Sequence, residues 1–168
     1  MSRCRLNFHS DSEALINKQI NMELYAHYVY MSMAAFFDRD DVALHGFAKR
    51  FRESSEEERE HAMKLIKYQN QRGGRVVFQD VAKPTVQEWK SALEAVEASL
   101  ELEQSVHKSL LELHKTASAH EDANLTDYLE GEYIKEQVEA ENEIAHLIAK
   151  MKRAGDGLGV HIIDKELQ

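Results

Sequence analysis

The ten residues EEEREHAMKL (56–65) contain the pair best suited to chemistry in this chain, Glu58 and His61, three apart. On an α-helix that spacing puts a carboxylate and an imidazole on nearly the same face, while Glu56, Glu57 and Glu60 point elsewhere. Such a pair can ligate a divalent metal. It can also be one acid of a solvated charge run beside a core histidine. The seam narrows the choice: Leu44, Phe51, Glu58 and Leu65 share one heptad row, with Phe47, Ser54, His61 and Tyr68 in the other. Glu58 and His61 therefore fall on the apolar stripe.

Three further stretches carry a polar residue on an otherwise apolar row. Ile16, Glu23 and Tyr30 share one, Val96, Glu103 and Leu110 a second, and Gln137, Ile144 and Met151 a third. The elements that must position these residues are helices, since the chain has one proline and seven glycines in 168 residues and is rich in good helix formers. Ser10 with Glu13 marks a capping box, and periodicity predicts a first helix over about 11–38. A second, about 44–72, ends at Gly73–Gly74. The third opens at Pro84 and a second box, Thr85 with Glu88, and spans about 86–119, and the fourth spans about 124–152. A short amphipathic tail over about 158–167 is a fifth. RVVFQDV (75–81) lacks helical period and is a short strand or an extended strap.

Short joints make helices one and two, and three and four, antiparallel hairpins, whereas the link between the pairs exceeds a dozen residues. A helix of about 28 residues is roughly 42 Å long, which such a link has to cross. The expected fold is all-α: one domain over 1–168, an antiparallel four-helix bundle with a long crossover between helices two and three and a short C-terminal fifth helix. A net charge of −9 argues against nucleic acid and suits the handling of cations. No stretch is long and apolar enough for a membrane span or a leader peptide, and Cys4 has no partner for an internal disulfide. The cytoplasm is the expected compartment, with a secreted or yolk form left open.

Glu23, Glu58 with His61, Glu103 and Gln137 each lie near the middle of their helices. In antiparallel packing midpoints meet, so the five are predicted to converge at one depth. Burying an uncompensated polar group costs on the order of 2 kcal/mol or more, and three acids share a site only if protons or cations neutralise them. Taken singly, a seam glutamate is more often mis-phased or snorkelling, His61 a satisfied core histidine and Gln137 a buried hydrogen-bonding residue. Their convergence, with an E-x-x-H pair among them, reverses those odds. Two-metal carboxylate bundles use a Glu from each of two helices and an E-x-x-H from each of the other two. Here the fourth helix offers QVEA (137–140), with Gln137 and Ala140 in place of Glu and His. One position is thus richly liganded by Glu23, Glu58 and His61, and the other has Glu58 as a bridge, Glu103 and the weak amide of Gln137. Oxygen ligands with one imidazole suit iron(II) or manganese better than zinc. A loose second position suits iron as a substrate that leaves again.

Several longer motifs carry a resemblance: NMELYAHYVYMSM (21–33), FFDRDDVALHGFAK (36–49), EEEREHAMKLIKYQNQRGGRVVFQD (56–80), SLLELHK (109–115), YIKEQV (133–138) and GLGVHIIDKEL (157–167). The chain resembles, over essentially its whole length, the animal ferritins of heavy-chain (ferroxidase) type. The resemblance implies a ferritin-like bundle that assembles into a hollow cage of 24 copies, oxidises iron(II) with O2 and stores it as ferric mineral. It implies Glu23, Glu58, His61, Glu103 and Gln137 as the di-iron ligands, with Tyr30 hydrogen-bonded beside them. Two iron(II) ions would bind around Glu58 and pass through a transient bridged diferric species before hydrolysis moves the product inward. Asp127 and Glu130 match acids lining three-fold channels through which iron enters; without the family, complementation of a helix dipole is the plainer account. His114 maps nearby as a surface histidine. Glu57 and Glu60 match cavity-facing acids that receive iron and begin the mineral. Met63 stands where many members have a further acid, which implies either weaker nucleation or its service by Glu53 and Glu56. Ile162 and Ile163 fit an apolar four-fold contact, with Glu166 where histidine is common.

Two other functions compete. A di-iron redox enzyme with an organic substrate would want a matched second E-x-x-H and a substrate pocket, and QVEA speaks against it. A catalytically inactive cage or structural subunit would keep the seam acids protonated or holding inert ions.

Overall fold

The computed structural model describes residues 2–168. The chain folds into α1 (Ser10–Phe37), α2 (His45–Gln71), α3 (Ala92–Ala119), α4 (Ala123–Leu129), a π-helical turn (Glu130–Ile134), α5 (Lys135–Ala154) and α6 (Leu158–Leu167). α1 packs on α2, and α3 on the fourth long helix formed by α4, the π-turn and α5. This is the all-α four-helix bundle with a long crossover and a short terminal helix that the periodicity predicts. Among the described residues no strand forms, so RVVFQDV is an extended strap.

The strap runs along α1. Asn17 Nδ2 donates to the Arg75 carbonyl at 2.9 Å, and its Oδ1 accepts from Val77 N at 3.1 Å. One turn on, Asn21 donates to the Asp80 carbonyl at 3.1 Å. Trp89 then meets the edge of Phe36 at the far end of α1, with centroids 5.3 Å apart. The crossover thus carries the chain from one end of the bundle to the other, so α3 starts beside the end of α1 and runs antiparallel to it.

Three local expectations need correction. The Ser10–Glu13 box does not form; His9 is the N-cap of α1, with Nδ1 accepting from Asp11 N at 3.2 Å. Glu13 instead accepts from Arg75 N at 2.7 Å and from Arg5, which pins the strap to α1. α3 begins at Ala92 rather than about 86, because Glu88 of the expected box is held by Arg39 at 2.8 Å. The cap is Ser91, whose hydroxyl accepts from Glu94 N at 3.1 Å. The fourth helix is not one regular α-helix: Lys135 N bonds to the Glu130 carbonyl, an i→i+5 turn. Leu125, Leu129, Tyr133 and Gln137 are all buried at steps of four. A regular helix advances about 40° beyond a full turn per four residues, so that row would rotate off the core; one wider turn restores its phase.

The core has two apolar clusters. Phe37, Phe47, Phe51, Trp89, Val96, Ile144 and Met151 fill one, and Ile16, Leu65, Leu110, Leu113, Leu125 and Leu129 the other. Along α2, α3 and α5 the junction between them falls at Glu58, Glu103 and Gln137. α6 does not keep both isoleucines for an outside contact: Ile163 is buried in the first cluster, while Ile162 is half exposed. Asp164, also buried, accepts from Gly46 N at 2.7 Å and Phe47 N at 3.1 Å. It therefore caps α2, whose own N-cap Leu44 has no side-chain acceptor.

Gly46 permits this docking. A Cβ there would come within 1.9 Å of the Asp164 carbonyl oxygen, a backbone atom that cannot swing aside. Gly46→Ala is expected to lift α6 off α2 and lower stability by about 2 kcal/mol, roughly 6 °C in Tm. Thermal unfolding followed by circular dichroism checks it, and an unchanged midpoint would contradict the tight contact.

Candidate metal centre

α1 and α2 bring Glu23, Glu58 and His61 together: one ligand atom from each lies within 4.8 Å of the others. Glu23 is fully buried, Glu58 nearly so, and His61 is half-buried at the rim. Their proximity follows from phase, since Glu58 and His61 share one face of α2 and Glu23 faces them from the antiparallel α1. Gln19, one turn before Glu23 and fully buried, donates Nε2 to Glu23 Oε1 at 2.7 Å. The second oxygens, Glu23 Oε2 and Glu58 Oε2, have no hydrogen-bond partner. Buried carboxylate oxygens without partners are what a cation would satisfy.

Glu103 and Gln137 border the same cavity but pair with each other. Gln137 Nε2 donates to Glu103 Oε2 at 2.5 Å and to the Glu103 carbonyl at 3.0 Å. The Tyr30 hydroxyl donates to Glu103 Oε1. The five seam residues thus form a closed triad on the α1–α2 side and a hydrogen-bonded pair on the α3–α5 side. Ala140 lines the cavity where a second imidazole would otherwise stand. The space is about 260 Å³ and is bordered by Glu57, Glu136, Glu139 and Glu143 besides the residues named. Its wall is acidic, which suits cations and their water rather than an apolar organic substrate.

Burial dominates the proton chemistry. Loss of hydration pushes the Glu23 carboxyl well above the ordinary range, and the charge of Glu58 adds to this. Glu58 is pushed up to about 8, again mainly by burial, partly offset by Glu23 and reinforced by Glu103, Glu57 and Glu136. Burial and then Glu103 raise Tyr30, which keeps its proton and donates it. Burial also raises Glu57.

A carboxyl whose folded pKa lies above its unfolded value stabilises the fold fully below the unfolded pKa and loses that contribution as pH rises through the folded one. Glu58 should therefore weaken the metal-free protein between its ordinary range and about pH 8. Glu58→Gln, which cannot ionise, is expected to gain in unfolding midpoint relative to the parent as pH rises from about 5 to 9. A constant difference across that range would contradict the raised pKa.

Sequence periodicity did not reveal Glu136, whose carboxylate oxygen lies 3.0 Å from His61 Nε2. It is exposed and off the seam, so only its place next to Gln137 hinted at it. Gln19 was legible, four residues before Glu23 on the same face. His27 Nδ1 lies 2.8 Å from the Ser55 hydroxyl, and His107 Nδ1 lies 2.7 Å from Glu141; both link neighbouring helices rather than join the centre. Ser54, placed on the seam by strict heptads, is only half-buried, while Ser55 is buried, because the stripe drifts along a straight helix. Glu57 lines the cavity, whereas Glu60 is exposed and outside its lining. Asp127 and Glu130 are exposed, Asp127 beside Tyr68 and Tyr128 in a surface groove and Glu130 with an oxygen 2.6 Å from His114 Nε2. Met63 is about half exposed, and Cys4 is exposed.

Residues 13–154 match the ferritin-like domain. The chain is similar to a soma ferritin of Lymnaea stagnalis, 57% identical over 166 residues covering 99% of this chain and 95% of that protein. It is 53% identical over 168 residues to a ferritin middle subunit of Aquarana catesbeiana, covering 98% and 96%. A ferritin heavy chain of Echinococcus granulosus is 52% identical over 166 residues, covering 99% and 96%.

Proposed function

The chain belongs to the ferritin family, and from that premise we propose that it stores iron, oxidising iron(II) with O2 at the buried centre and holding the ferric product inside a cage of 24 copies. The observation that carries this is the triad of Glu23, Glu58 and His61, with two partnerless carboxylate oxygens among its donors. Its oxygen-rich set with one imidazole fits iron(II) as substrate. Glu58, which belongs to the triad and lines the cavity wall together with Glu103, would bridge two ions. Glu103 and Gln137 must give up their mutual hydrogen bond to serve the second one, which makes that position the weaker.

Each iron(II) gives up one electron, so a pair reduces O2 by two electrons, and two protons complete hydrogen peroxide. This chain's own residues supply the setting. Glu23 and Glu58 lose their protons when cations arrive, Tyr30 orients Glu103, and Gln19 orients Glu23. The acidic wall at Glu57 and Glu136 then favours departure of the ferric product, with Glu57 and Glu60 as transit and nucleation acids. Asp127 and Glu130 line the route by which iron enters. The compartment we assign is the cytoplasm.

The test is aerobic addition of iron(II) to the purified apoprotein, followed by ferric absorbance and by the mass of the assembly. Rapid ferric formation in a particle of about 24 subunits, retaining iron after desalting, is expected. Oxidation no faster than in buffer alone, or elution as a monomer, would overturn the proposal.

A further inference from the structure

A second cluster of metal-ligating side chains lies at one end of the bundle, outside the centre described above. His9 caps α1, Asp11 is in its first turn, and His120 follows the last residue of α3. His9 and His120 stack with centroids 3.5 Å apart and planes 13° from parallel. His9 Nδ1 lies 3.4 Å and His120 Nε2 3.3 Å from the same oxygen, Asp11 Oδ2. One ligand atom from each of the three residues lies within 4.8 Å of the others. We propose that His9, Asp11 and His120 form a surface binding site for a late transition-metal dication of the Zn(II), Cu(II) or Ni(II) class, separate from the iron centre.

The distances suit that class. With metal–nitrogen bonds of about 2.05 Å and a metal–oxygen bond of about 2.0 Å, the edge of a coordination tetrahedron is about 3.3 Å. Both nitrogen-to-oxygen edges already have that length. Two imidazoles and one carboxylate select for these metals over magnesium or calcium, which prefer all-oxygen shells. Three protein donors leave a coordination position for water.

The frame beneath the site is built before any metal arrives. Arg72 donates Nη1 and Nη2 to the two oxygens of Asp122, both at 2.9 Å, and Nη2 also to the Asn7 carbonyl at 3.0 Å. Asn7 Nδ2 donates to the Glu121 carbonyl at 3.0 Å. These bonds tie the segment before His9 to the turn after His120, more than a hundred residues apart in the chain. Both Asn7 and Glu121 adopt positive φ, 47° and 53°, so each backbone is held in the left-handed region while its neighbouring imidazole faces the other.

Binding requires two adjustments. A metal lies in the plane of each ring it ligates, so the near-parallel rings must splay. His9 Nδ1 must also release Asp11 N, whose exposed amide can turn to water. Both rings are substantially exposed, which leaves room for the splay. The positive end of the α1 dipole opposes a cation, and Asp11 offsets it. A bound ion would clip the N-terminal segment to the α3–α4 turn and stabilise that end of the bundle by mass action.

The experiment compares Glu58→Ala/His61→Ala apoprotein, in which the buried triad is removed, with the same protein carrying His120→Gln or His9→Gln. Equilibrium dialysis against Zn(II) at neutral pH is expected to show one zinc per subunit fewer in either added variant, while His114→Gln leaves that zinc in place. Cu(II) in the same background should give an electron paramagnetic resonance spectrum with hyperfine splitting from two nitrogens. Equal zinc stoichiometry and affinity in the presence and absence of His120 would overturn the site and leave a stacked pair bridged by Asp11. Iron oxidation by His120→Gln in the otherwise unmodified chain should match the parent, so failure here is distinct from failure of the iron-storage function.

Discussion

Replacing Glu58 and His61 together with alanine is expected to lower the initial rate of iron(II) oxidation by at least about 100-fold, beyond the ten- to hundredfold loss usual for an outer-shell partner of a metal site. Glu58 is the residue that both proposed metal positions need, and His61 is the only nitrogen donor in the triad. The fold should survive. Glu58 carries a burial penalty in the metal-free state, so its removal takes away an unfavourable group as well as a ligand. The variant should retain helical content and particle size while ferric absorbance rises no faster than in buffer. Rates equal to the parent would place oxidation elsewhere, on the acidic wall or the mineral surface. Glu58→Ala alone should lose nearly as much as the pair, because ligands of one centre act as a unit and their losses do not add.

The second large effect concerns stability at the end of the bundle. Asp122→Ala is expected to cost about 3 kcal/mol, near the lower end of what breaking a buried ion pair costs, and to lower Tm by roughly 6–12 °C for a chain of this size. Asp122 is 1% exposed and takes a bidentate bond from Arg72 while capping α4 through Leu125 N at 3.1 Å. Removing it leaves Arg72 without its charge partner over Phe8 and Tyr68, and leaves an orphan amide at the helix start. Asp122→Asn keeps an acceptor for the cap but not the charge, so it should fall between parent and Asp122→Ala. Thermal unfolding of all three checks the order. Equal midpoints for Asn and Ala would mean that the charge pair, rather than the cap, carries the whole effect, while parent-like stability of Asp122→Ala would refute the account.

Much of this was legible in the residue order. The heptad rows place Glu23, Glu58, Glu103 and Gln137 on buried faces, and all four are buried. The E-x-x-H spacing puts His61 beside Glu58, and 3.8 Å separates His61 Nδ1 from Glu58 Oε2. The missing second E-x-x-H is also plain from Gln137 and Ala140. Local signals misled where a distant residue claimed the same group. Glu88 could have completed a capping box with Thr85, but Arg39 holds it; Glu13 could have served Ser10, but Arg75 and Arg5 take it. A cap is worth about 1 kcal/mol, so one tertiary partner is enough to move a helix boundary by a turn.

By itself the sequence determined helical phase, because a period of about 3.6 residues is a local property that the order of apolar and polar residues states directly. It thereby determined which carboxylates enter the core and which remain on the wall. Only the tertiary structure decided how those carboxylates are shared. Glu103 goes to Tyr30 and Gln137, while Glu23 and Glu58 keep free oxygens facing His61. Hydrogen-bond partners depend on distances between helices and on side-chain rotamers, which no single helix contains. The π-turn and the meeting of His9 with His120 have the same origin, since each is set by packing between segments far apart in the chain.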